Sequence, residues 1–209
     1  MSFSDADQPQ EKQSTNVWKW IGIGCGGCFS LVVLGSLGLG FLLSRTIDVS
    51  IEPEEAKKKV QSLFSYEIPG GDQGYMTMTL LGFEMSQVTS TTDPPNVLLT
   101  VSKIPQEIEK SQHQQLQEQY HQTIAAQVGT TYTFTTTRQM DSTLCEQPVT
   151  IIIQEGTVNA PEFANPQPAI TYSTILDNYQ GSDRYVSIFT HGQQPEQLAQ
   201  TVYNSLDCK

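Results

Sequence analysis

The residue types suited to chemistry are few: four cysteines, three histidines and one cluster of oxygen-bearing side chains in a turn. Cys25-Gly26-Gly27-Cys28 has the spacing of a redox or metal pair. Its surroundings are apolar, where a thiolate is disfavoured, and no further ligands lie nearby in sequence. Phe29 follows it, so the haem-attachment pattern with a histidine in that place is absent. These cysteines read as small packing residues. Cys145 and Cys208 lie far from this pair in sequence. A disulfide between them would tie down the C-terminal end, worth about 4 kcal/mol in the chain-entropy model. Two free thiols is the alternative, since spacing alone says nothing of proximity.

His113 and His121 fall on one predicted helix about 12 Å apart, too far to share a metal ion. His191 stands alone at a predicted strand end. Asp177, Asn178, Ser182 and Asp183 bracket a turn, but their spacing matches no regular calcium loop. Turns use these residue types for backbone reasons. The chain carries no Gly-x-Ser-x-Gly, no phosphate-binding glycine loop and no His-Glu-x-x-His. No catalytic residue, cofactor-binding residue or metal ligand is therefore assigned.

The elements that must position these residues begin with Ile21 to Ser44, an uncharged run of about 24 residues, enough to cross a bilayer. Trp18 and Trp20 precede it at the level preferred by indole rings, and Arg45 follows it. The run is too long and starts too late for a cleaved signal peptide. A lipoprotein signal fails too, because the apolar stretch follows Cys25 rather than preceding it. The predicted organisation is a disordered tail over 1–16, a transmembrane helix over 17–45 and a soluble α+β domain over 46–209. Gly22-x-x-x-Gly26 and Gly24-x-x-x-Cys28 place small residues one turn apart, a face on which a second helix or a second copy of the chain could dock.

Orientation draws on conflicting signals. Lys12 and Lys19 precede the span, whereas Arg45 and Lys57 to Lys59 follow it. Long domains are translocated largely regardless of charge, so the expectation is a cytoplasmic N-terminus and an extracytoplasmic domain. The chain has 22 acidic and 11 basic residues, a formal charge of −11, which disfavours nucleic acid as a partner.

Within the domain, Pro53 and the acidic residues around it open a helix with Ala56, Val60, Leu63 and Phe64 on one face. Strands are predicted over 75–81, 83–89 and 97–104, with Met76, Met78 and Leu80 as a buried face alternating with threonines. Pro105 opens the longest predicted helix, ending at Gly129. Four strands follow, over 132–140, 145–154, 169–178 and 184–190, and a closing helix starts at Pro195. That order predicts an antiparallel sheet with packed helices, an α+β fold.

The closing run ITYSTILDN, RYVSIFTH and PEQLAQTVYNSL resembles the C-terminal half of PsbP-like domains, and Ile68-Pro69-Gly70-Gly71 resembles that family's opening. The anchor followed by a helix and Tyr66-x-Ile68-Pro69-Gly70 is similar to bacterial single-pass proteins of uncharacterised role. The resemblance implies an extrinsic or membrane-attached α+β domain and transfers no catalytic or ligand residue. The functional expectation is a membrane-anchored, non-catalytic interaction or assembly module with a membrane protein or complex as partner. The alternative is a membrane-anchored enzyme whose site assembles only in the fold.

Overall fold

A computed structural model describes residues 47–80, 82–105 and 131–209. The predicted transmembrane helix over 17–45, with Gly22, Gly24, Gly26 and Cys28, lies outside these residues. So does the long helix expected from Pro105 to Gly129, with His113 and His121. Among the described residues no helix is long and apolar enough to cross a membrane.

The described elements are β1 (Ile47–Ser50), α1 (Pro53–Leu63), β2 (Phe64–Ser65), β3 (Asp72–Leu80), β4 (Phe83–Ser90), β5 (Val97–Ile104), β6 (Thr131–Leu144), β7 (Gln147–Asn159), β8 (Gln167–Tyr179), β9 (Ser182–His191), α2 (Pro195–Asn204) and β10 (Asp207–Cys208). Eight strands form one antiparallel sheet in the order β1-β3-β4-β5-β9-β8-β7-β6, and β10 pairs with β2. This corrects the α+β expectation: the described residues are 60% strand and 15% helix, a mostly β fold. The physical reason lies at the hairpins. Cys145 and Glu146 both adopt positive φ, so a two-residue turn joins β6 to β7 with no intervening loop. Asn178, Gln180 and Gly181 do the same between β8 and β9. The strands therefore run on to 13 or 14 residues in β6, β7 and β8.

One face of the sheet carries the core. Val88, Leu99, Ile188, Tyr172 and Ile153 face each other in a row across β4, β5, β9, β8 and β7, all at most 2% exposed. Val60 and Phe64 pack on this face from α1 and β2, and Ala199, Val202 and Tyr203 pack from α2. At about 25 cal/mol per Å2 of apolar surface removed from water, this layer is the main stabilising term.

The second face is also buried and carries a polar row beside apolar residues such as Met85, Ile104 and Tyr185. Gln87, Thr100, Ser187 and Ser173 form the neighbouring row, and Gln87 Nε2 donates to Thr100 Oγ1 at 3.0 Å. On β3 a period-two reading of the sequence misleads. Thr77, paired with Ser86 on the helix-covered face, is buried at 2% exposure, whereas Met76, Met78 and Leu80 on the second face are only half-buried. Thr77 is satisfied by Lys59 Nζ, which donates to its hydroxyl at 3.1 Å and also pairs with Glu55.

Candidate functional site

Three places gather chemistry-bearing side chains, and each is positioned by the ends or edges of the sheet. The first lies where the β6–β7 turn meets the last strand. Cys145 and Cys208 are joined in a disulfide with Cα atoms 5.4 Å apart. β10 brings Cys208 there by pairing it opposite Phe64 of β2. Arg184 of β9 sits beneath, 4% exposed. Its Nη1 donates to the Leu63 carbonyl at 2.6 Å, and its Nη2 donates to Gln180 Oε1 at 3.0 Å and to the Lys209 carbonyl at 3.2 Å. Its guanidinium lies 4.4 Å from the centre of the Tyr179 ring. Burial pulls its pKa down, and Tyr179 partly restores it. This arrangement holds two chain ends together and presents no reactive group to solvent.

The turn residues singled out in the sequence lie close to this point. Asp183 Oδ1 accepts the Asn178 backbone N–H at 2.7 Å, and Ser182 Oγ donates to the Tyr179 carbonyl. The oxygen-bearing side chains therefore close the β8–β9 turn on itself. Among the described residues no group of His, Cys, Asp and Glu side chains is arranged to hold a metal ion.

The second place is a cleft of about 840 Å3 at the opposite end of β9. Its wall includes Asp93, Asn96, Phe163, Gln167, His191 and Gln194. The Asp93–Pro94 peptide is cis, and the turn around it is fixed by Ser90 Oγ, which accepts from the Asn96 backbone N–H at 2.9 Å. His191 anchors that turn twice: its backbone N–H donates to the Asn96 carbonyl at 3.1 Å, and Nε2 donates to the Pro95 carbonyl at 2.8 Å. The Phe163 ring lies 4.9 Å from the imidazole. Burial lowers the His191 pKa from 6.5, against smaller upward pulls from the Pro95 carbonyl and Glu162. Burial thus favours the neutral imidazole, which is tied by one nitrogen to the backbone. Amides dominate the rest of the wall, and Asp93 is the other titratable lining residue. The cleft can hold a neutral polar molecule.

The third place is β6, one of the two edge strands of the sheet among the described residues. It pairs only with β7 among the described residues. Residues 135–141 are all exposed. Arg138 bonds to Glu155 at 2.9 Å and to Glu196 of α2 at 2.6 Å, which pins the strand to its neighbours. At about 3.3 Å per residue, its 14 residues offer an edge of roughly 46 Å.

Sequence reasoning brought His191 forward but missed the cleft around it. The pattern Asp93-Pro94-Pro95-Asn96 and the glutamines 193, 194 and 197 were the available signals. It also missed the edge. Thr135 to Gln139 breaks the apolar alternation begun by Tyr132 and Phe134, and a strand without an apolar face is one the core does not use. Comparison with known proteins gives no matching family model, no similar curated protein and no similar solved structure.

Proposed function

We propose that this chain is a membrane-anchored, non-catalytic interaction or assembly module, held by the segment 17–45 with its folded domain on the extracytoplasmic side. The observation that supports it most is the open β6 edge. Backbone N–H and C=O groups along an edge strand are a template for another extended chain, and proteins that do not use such an edge blunt it. β6 contains no lysine or proline, its Arg138 is held by Glu155 and Glu196, and its one bulge lies near its start, which leaves Thr136–Leu144 regular. The acidic balance of the chain and the resemblance of its closing elements to membrane-attached PsbP-like domains agree with this role. A disulfide between Cys145 and Cys208 suits an oxidising compartment, in line with an exported domain.

The enzyme alternative would use the His191 cleft. Its imidazole spends Nε2 on the Pro95 carbonyl, which leaves the interaction reading in front. The test is the native mass of the full chain extracted in mild detergent. A species larger than one chain is expected, reduced when Thr137→Lys and Thr143→Lys place charges along the exposed edge. Reproducible recovery as one chain with no partner would sink the reading.

A further inference from the structure

We infer that the occupant of the β6 edge is a second copy of this chain, paired antiparallel through β6 with Met140 on the two-fold axis. This rests on the reading of β6 as a docking edge and names its partner.

The strand carries one irregularity, between Phe134 and Thr136, where Thr135 bulges out of register with β7. From Thr136 to Leu144 the pairing is regular. Two identical strands that extend a sheet edge to edge are related by a two-fold axis perpendicular to the sheet. That axis keeps each side chain on its own face, and neighbouring residues alternate between faces. It must therefore pass through a residue paired with itself, because an axis between residues would pair opposite faces.

Within the regular stretch the sequence eliminates most centres. An axis at Arg138 sets two guanidinium groups opposite each other, and one at Asp141 sets two carboxylates opposite; both are repulsive. An axis at Gln139 leaves the end of the stretch overhanging the bulge. An axis at Met140 is the midpoint of Thr136–Leu144 and uses the whole stretch. It places Gln139 opposite Asp141, Arg138 opposite Ser142 and Thr137 opposite Thr143. The amide can donate to the carboxylate, threonine pairs are favourable across strands, and no like charges meet.

A separate observation marks the same residue. Met140 is one of few large apolar side chains left exposed, at 38%. It sits opposite Ile151, which is fully buried, on the helix-covered face. Its neighbours on that face are tied to α2: Arg138 to Glu196, and Ser142 to the Tyr203 hydroxyl at 3.3 Å. Met140 is thus the rim of the core layer where the sheet ends. The same side chain of a second copy, a flexible thioether, would cover it. Tethering of both copies to one bilayer would raise their effective concentration and favour a contact of this modest length.

The test uses the full chain in mild detergent and in liposomes, with two differently tagged copies. The wild type is expected to co-capture itself. Met140→Lys and Met140→Glu, each alone, are expected to lose co-capture by at least about tenfold. Mixing the two variants is expected to restore it, since opposite charges then meet at the axis. The glycine-rich span cannot produce that pattern. As a check independent of charge, Met140→Cys in a Cys25→Ser, Cys28→Ser background is expected to cross-link on mild oxidation, whereas Thr133→Cys is not. Unaltered co-capture by both charged variants, or failure of Met140→Cys to cross-link, would overturn the proposal. A larger native species holding one copy plus a different protein would also overturn it, while leaving the module reading intact.

Discussion

Arg184 is a buried cation, 4% exposed. Its charge is met by the Leu63 carbonyl, the main-chain oxygen of Lys209, the Gln180 amide and the face of Tyr179. The planar fork reaches Leu63 and Lys209 at once, so it joins the end of α1 to the end of the chain. A lysine has the charge but not the fork. Arg184→Lys is expected to cost about 1–3 kcal/mol by losing the charge-assisted bonds that the fork makes to Leu63 and Lys209 at once, read as a lower urea midpoint. An unchanged midpoint would mean that water reaches these carbonyls. His191 supplies the pH dependence. Its pKa is depressed in the fold by burial, so the unfolded chain binds a proton near pH 6.5 while the folded one resists. Its contribution is then fully present above about pH 6.5 and is lost as pH falls through the folded value. The difference in urea midpoint between wild type and His191→Gln is expected to shrink or reverse from about pH 7 to pH 5. A difference independent of pH would contradict this assignment.

At the scale of elements, position was legible and extent was not. Pro53 and Pro195 mark the helix starts, and the structure puts each at the first turn of its helix. The strands expected after Pro53 all occur at their places in the sheet. The lengths of β6 and β7 escaped the reading because the hairpin turn at Cys145-Glu146 contains no glycine. A left-handed backbone at non-glycine residues leaves little mark in sequence. Burial on β3 was misjudged for a related reason. The period puts Met76, Met78 and Leu80 on the buried face, yet Thr77 is the side chain that is buried. Burial of a hydroxyl depends on a partner supplied from elsewhere, as Lys59 supplies Thr77.

At the scale of the molecule, the Cys145–Cys208 bond spans a sequence separation of 63 and joins the β6–β7 turn to the last strand. Reduction, or the double variant Cys145→Ser, Cys208→Ser, is expected to lower stability by about 4 kcal/mol in the chain-entropy model, as a fall in urea midpoint. No change would show that β10 is held by its pairing with β2 and by Arg184 alone. The sequence by itself determined the places of α1, α2 and the strands β3 to β9 and the charge balance, because periodicity, proline and glycine act within a few residues along the chain. Only the tertiary structure decided that strands dominate, that Cys145 meets Cys208, that His191 faces a cleft and that β6 ends the sheet. Each of these depends on which segments become neighbours, and that is fixed by strand pairing between residues far apart in sequence.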